Sequence, residues 1–179
     1  MRVFIAINFT SEVKDYLANT IKDLRLESIK GSFTRIENLH VTLAFIGEVE
    51  SEKVSDIISV LEESTSNTVP FTIEIGGLGK FVRQKECLYW CGIKENDELI
   101  MLQKALVNGL KEHHFSVDDK PFKPHITLAR RCVMKQAFEE SRFAKSIQSM
   151  CMKVESISLM KSEQKEGRVL YSSLKEFRL

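Results

Sequence analysis

The sequence predicts an α+β fold made of two similar lobes, each of mainly antiparallel sheet flanked by helices. Three observations predict it. A strand-like string, His40-Val41-Thr42-Leu43-Ala44, recurs as His125-Ile126-Thr127-Leu128-Ala129 nearly half of the 179-residue chain later, and an internal repeat at that offset argues for two related halves. Strand-like segments fall in pairs between helical ones, in the rough order β-α-β-β-α-β-β-α-β-α-β-β, which favours antiparallel sheet over a parallel βαβ array. No linker-like or low-complexity stretch separates the halves, so residues 1–179 read as one domain of two intimate lobes, large enough to bury its own core.

Each element has a local cause. Residues 2–9 alternate as a first strand, with Val3, Ile5, Ile7 and Phe9 on one face. Thr10 or Ser11 can cap a helix that carries Val13, Leu17, Ile21 and Leu24 along one side. Gly31 marks its exit, and residues 32–37 lead as a short strand or loop into the first motif strand, which ends near Gly47. Ser51 caps a second helix bearing Val54, Ile57, Ile58 and Leu61. After a polar loop over 64–68, Phe71, Ile73 and Ile75 alternate as a strand that Gly76, Gly77 and Gly79 break or bulge.

A further strand over 87–93 holds the single tryptophan, Trp90. Asp97 starts a helix with Leu99, Leu102, Leu106 and Leu110, whose last turn places Lys111, His113 and His114 at the negative end of the helix dipole. Residues 118–124 are a turn-rich lead-in, with Pro124 at the mouth of the second motif strand. Residues 135–148 form a weaker helix anchored by Phe138 and Ile147. Residues 154–160 and 169–174 close the chain as a hairpin joined by the polar stretch 161–167.

Alternation gives the motif strands their chemistry. Successive side chains on a strand point to opposite faces, so His40 and Thr42 share one face while Val41, Leu43 and Phe45 take the core face. The second copy repeats this with His125 and Thr127 outward and Ile126 and Leu128 inward. One histidine on a strand face would be an ordinary hydrogen-bonded or surface group; the matched pair carries the signal. A His and a hydroxyl from each lobe suffice for phosphoryl transfer. Near neutrality one imidazole can accept a proton while the other donates one, and the threonine hydroxyls can hold the non-bridging oxygens where negative charge builds.

Composition narrows the setting. The formal net charge is +1, so there is no global basic field, and nucleic acid would be met at an end or single nucleotide rather than along a duplex. No stretch approaches the length needed to span a bilayer, and the N-terminus lacks a signal peptide's apolar core and cleavage site, which points to the cytoplasm. Of Cys87, Cys91, Cys132 and Cys151 only the first two are close, at a spacing poor for zinc, so buried free thiols in a reducing compartment are expected. Neither motif has a further His, Asp or Glu at ligand spacing, so no metal and no cofactor is expected.

The strings Glu37-Asn38-Leu39-His40-Val41-Thr42-Leu43-Ala44-Phe45-Ile46-Gly47 and Phe122-Lys123-Pro124-His125-Ile126-Thr127-Leu128-Ala129-Arg130 resemble the two His-x-Thr motifs of the two-histidine (2H) phosphoesterases. Within that superfamily they are similar to the bacterial and archaeal RNA 2′,3′-cyclic phosphodiesterases, also called 2′-5′ RNA ligases. The likeness runs from Arg2 to the segment 171–179. It implies two pseudo-symmetric lobes with the active-site cleft between them, and hydrolysis of RNA or nucleotide 2′,3′-cyclic phosphates to a 2′-phosphate; a monomer is expected.

The resemblance implies His125 as general base on the attacking water and His40 as general acid on the departing 3′ oxygen; the motif's own symmetry leaves that assignment open. Thr42 and Thr127 would hold the free phosphate oxygens. Arg130 matches the arginine that follows the second motif in the family, where it serves phosphate binding. Strict alternation instead puts Arg131 on the face of His125 and Thr127, so a bulge or the strand's end has to turn Arg130 inward, or Arg131 does the work, or the two are an exposed pair. Phe45 and Tyr171 are candidates for stacking on a base, with parity assigning Phe45 to the core. Lys80, Arg83 and Lys85 flank a loop that is either solvated or meets the RNA backbone. Two other functions fit the same residues: 2′-5′ ligation, the reverse reaction, and a binding module for nucleotides or RNA ends without turnover.

Overall fold

The structure, a computed structural model, describes residues 1–118 and 120–179; Asp119, in the expected lead-in turn, lies outside them. Among the described residues the order is β1 (Arg2–Asn8), α1 (Ser11–Leu26), β2 (Ser28–Phe33), β3 (His40–Glu48), α2 (Val54–Ser66), β4 (Phe71–Arg83), β5 (Glu86–Ile93), α3 (Asp97–Glu112), β6 (His125–Met134), α4 (Glu140–Ser146), β7 (Met150–Val154), β8 (Ser156–Lys165) and β9 (Arg168–Arg178). The strands form two antiparallel sheets, β3-β1-β8-β9 and β2-β6-β5-β4-β7. This is the expected α+β, two-lobed fold, with one motif strand in each sheet.

The lobes are not the two sequence halves, because β8 and β9 return to the first sheet. The repeat is a β-α-β unit: β1 and β3 pair around α1, and β5 and β6 pair around α3. Each connecting helix packs on the other lobe. Helix α1 lies against β2 and β6, and α3 lies against β3 and α2. That exchange clasps the motif strands, and β3 and β6 meet between the sheets.

Sequence pattern explains the packing. Strand β1 is buried over Val3–Ile7: Val3, Ile5 and Ile7 enter the main core, while Phe4 and Ala6 join Met160 under Tyr171 on the other face. Helix α1 starts where the Thr10 hydroxyl accepts from the Val13 amide, and buries Val13, Leu17, Ile21 and Leu24. At about 1.5–3 kcal/mol for each buried side chain, that stripe outweighs the few tenths that surface ion pairs contribute. Helix α3 buries Leu99, Leu102, Leu106 and Leu110 and is capped by Asn96, which accepts from the Leu99 amide.

Several expectations are corrected. Helix α1 ends at Leu26, and Gly31 lies within β2, where an added Cβ would come within 2.6 Å of Cys132 Sγ. Ser51 opens a short 3₁₀ turn, Ser51–Lys53, ahead of α2 and caps nothing. The helix expected over 135–148 shrinks to Glu140–Ser146, leaving its apolar anchors Phe138 and Ile147 outside. Strand β7 was not anticipated, and the polar residues 161–165 continue β8 rather than forming a connection. The glycine cluster does bulge β4, with a register shift between Gly76 and Leu78 and Gly77 at φ 70°. Cys91 and Cys132 are buried free thiols, whereas Cys151 is exposed.

Candidate active site

Both motif strands carry the same irregularity at the same place. Ile5 faces Ala44 and Ala6 faces Thr42, so Leu43 is an extra residue opposite β1. Tyr89 faces Ala129 and Trp90 faces Thr127, so Leu128 is the matching extra residue opposite β5. Each bulge inverts the side-chain alternation beyond it. Leu43 and Ala44 are therefore both buried, as are Leu128 and Ala129, while Phe45 and Arg130 turn to the side of the histidines. Phe45 is 44% exposed, which corrects its assignment to the core. A second bulge follows in each strand, at Ile46 and beside Arg131, whose φ is 52°; it lets Arg131 line the cleft as well.

The cleft between the sheets has a volume of about 770 Å³. His40, Thr42, Phe45, His125, Thr127, Arg130, Arg131 and Tyr171 all line it, so the structure brings together the candidates for acid-base catalysis, phosphate holding and base stacking. Lys80, Arg83 and Lys85 are not among its lining residues; Lys80 is held by Glu140 at 2.6 Å. Arg2, Arg35 and Arg168 also reach the cleft. Five of the chain's nine arginines thus line it, and among the described residues no lysine or carboxylate does. A near-neutral chain therefore carries a concentrated positive field at one place, made of the planar fork suited to phosphate.

Each imidazole is oriented in the same way. His40 Nδ1 lies 2.7 Å from the Asn38 carbonyl oxygen, and His125 Nδ1 lies 2.7 Å from that of Lys123. A carbonyl only accepts, so Nδ1 carries the hydrogen and Nε2 is left as the reactive nitrogen. His40 Nε2 is 3.0 Å from Thr42 Oγ1. Two aromatic rings brace each imidazole. Phe4 and Tyr171 stand 4.9 and 5.2 Å from His40, centroid to centroid, and Phe81 and Trp90 stand 5.4 and 5.9 Å from His125. Trp90 reaches its place because residue 79 is glycine; a Cβ there would sit 2.1 Å from the indole ring. Tyr171 therefore belongs to the cleft wall with its ring edge committed to Phe4 and His40.

Burial holds the His40 pKa below its ordinary 6.5. The Asn38 carbonyl opposes that shift, and the electrostatic influence of Arg130 and His125 reinforces it. Those last two influences tie both motif strands to one electrostatic site. Among the described residues no three His, Cys, Asp or Glu side chains cluster as a metal-binding group.

Sequence reasoning missed Phe4, the carbonyls of Asn38 and Lys123, the Phe81–Trp90 wall, and Arg2, Arg35 and Arg168. Phe4 was accessible: with Val3, Ile5 and Ile7 assigned to the core, a phenylalanine on the opposite face of β1 required a second apolar neighbour.

Two His-x-Thr strands from different sheets, turned to one arginine-lined cleft, are what a two-histidine phosphoesterase requires. The chain belongs to the 2′-5′ RNA ligase superfamily, whose family model matches residues 13–166. It is 36% identical over 131 residues to an RNA 2′,3′-cyclic phosphodiesterase of Thermotoga maritima, covering 73% of this chain and 70% of that one. Among solved structures it is similar to TT0787 of Thermus thermophilus, with a TM-score of 0.86, 27% identity and coverage of 100% and 98% of the two chains. It is also similar to Escherichia coli LigT complexed with 3′-AMP, with a TM-score of 0.82, 26% identity and coverage of 99% and 97%.

Proposed function

We propose that the protein hydrolyses RNA or nucleotide ends bearing a 2′,3′-cyclic phosphate and leaves a 2′-phosphate. The observation that carries this is the convergence of the two Nδ1-anchored histidines on one arginine-lined cleft. The names of the relatives supply the substrate class. The cyclic diester is a strained five-membered ring, so positioned acid-base groups and charge stabilisation suffice without a covalent nucleophile.

In the proposed step His125 Nε2 takes a proton from water as its oxygen attacks phosphorus. The bond to the 3′ oxygen breaks in line, and His40 Nε2 gives that oxygen its proton. Thr42, Thr127 and Arg130 hold the two non-bridging oxygens, while Phe45 offers a face to the base. His125 ends charged and His40 neutral, and exchange with solvent resets both. Ligation to a 5′-hydroxyl would use the same residues, with that hydroxyl in place of water. We place the enzyme in the cytoplasm as a metal-independent monomer of one two-lobed domain. Its free thiols support a reducing setting.

Incubation with 2′,3′-cyclic AMP and separation of the adenylates tests the proposal. The expected product is 2′-AMP, formed at a rate that excess chelator leaves unchanged. A 3′-AMP product would reverse the geometry of attack, chelator-sensitive turnover would remove the metal-free mechanism, and tight binding with no product would leave a binding module.

A further inference from the structure

Strand register arranges the cleft face of the first sheet in layers. Arg2, Phe4, Ala6 and Asn8 alternate with core residues along β1. Asn8 pairs with His40 and Ala6 with Thr42, Phe4 pairs with Phe45, and Arg2 pairs with Ser162 of β8, which itself faces Tyr171 of β9. Outward from the histidine the order is His40 and Thr42, then the aromatic rings, then a polar end of Arg2, Ser162 and Gln164. Arg168, the first residue of β9, lines the same cleft, one register step beyond the Gln164–Val169 pair.

The polar end has charge without a counter-charge. Arg2 and Arg168 have no carboxylate partner among the described residues, and the recorded contact of the Arg2 guanidinium is the Phe45 ring, 4.9 Å away. Lying over that ring, Arg2 lines the cleft with its charge unpaired by any carboxylate among the described residues. A cyclic phosphodiester brings one negative charge, which Arg130 and the threonines already meet. Two further guanidiniums in one cleft repel each other unless an anion lies between them.

We infer that Arg2 and Arg168, with Ser162 and Gln164, form a subsite for a second phosphate, the one carried on the 5′ oxygen of the terminal nucleotide. The inference rests on the proposed function. A phosphate at His40, a ribose and base along the aromatic layer, and a 5′-phosphate at the arginine end follow the polarity of one nucleotide. The group bound is a phosphate on the 5′ oxygen, whether free or esterified to the preceding residue of an RNA.

Three substrates separate the possibilities: 2′,3′-cyclic AMP with a 5′-hydroxyl, the same compound with a 5′-phosphate, and the dinucleotide ApA ending in a 2′,3′-cyclic phosphate. The 5′-phosphate and the dinucleotide are each expected to raise kcat/KM about tenfold or more, the size of one or two charge-assisted hydrogen bonds. Arg2→Gln and Arg168→Gln should each shrink that ratio toward one, while Arg142→Gln, outside the cleft, should preserve it. Equal kcat/KM with and without the 5′-phosphate, a preference that survives both substitutions, or a gain confined to the dinucleotide would overturn the subsite. A titration with adenosine 2′,5′-bisphosphate against 2′-AMP reads the subsite without turnover, and about tenfold tighter binding of the bisphosphate is expected. If no substrate is turned over but this difference appears, the proposed function fails and the phosphate subsite stands; equal affinities overturn the subsite itself.

Discussion

Replacing either motif histidine by alanine should lower kcat by about 10²–10⁴-fold, the range of a general acid or base. Replacing both should cost little more than the worse single change, because the two rings act in one step and removal of either leaves the other without a task. The melting temperature separates this loss from damage to the fold. His40 touches Phe4 and Tyr171, and His125 touches Phe81 and Trp90, so each alanine opens a gap between rings. Glutamine at either position fills more of the gap, lacks a basic nitrogen, and should be equally inactive. Near-native turnover in either single variant would contradict the pairing, as would losses that multiply in the double variant.

Arg130→Gln should have the next largest effect, about 10²–10³-fold in kcat, the range for a group that stabilises developing oxyanion charge. It also carries a pH signature. The Arg130 charge helps to hold the His40 pKa below 6.5, behind the larger effect of burial. If His40 must be protonated to donate, kcat/KM falls as pH rises through that lowered pKa in the free enzyme. Removing Arg130 raises the pKa, so the alkaline limb of kcat/KM should move to higher pH. The bound phosphodiester brings negative charge beside the ring and favours the imidazolium, so in the native enzyme the limb in kcat should lie above the limb in kcat/KM. Unmoved limbs, or a loss that follows Arg131→Gln in place of Arg130→Gln, would give the anion to Arg131.

The histidine pair was legible in the sequence because it is a repeat on alternating strands, and alternation holds from His40 to Thr42 and from His125 to Thr127. It fails one residue later. The bulges at Leu43 and Leu128 contain no glycine or proline and look like continuous strand, so Phe45 was assigned to the wrong face. The same bulge was inferable at Arg130 only because the family's arginine contradicted the alternation. Helices α1 and α3 were readable from their apolar stripes, and α1 from its Thr10 cap as well, whereas the polar end of β8 forms through its ladder with β9 rather than through any pattern of its own. The arginine cluster was invisible for a different reason. Arg2, Arg35, Arg130, Arg131 and Arg168 come from four separate segments that only the tertiary fold brings to one cleft, and a net charge of +1 conceals them.

The most direct measurement is a crystal structure of the protein soaked with a non-hydrolysable 2′,3′-cyclic phosphate analogue. Both Nε2 atoms should lie within hydrogen-bond reach, about 2.6–3.2 Å, of oxygens on the same phosphorus or of the water attacking it, from opposite sides. A phosphorus engaged by one ring alone, with the other turned to solvent or separated from it by a neighbouring side chain, would contradict the mechanism.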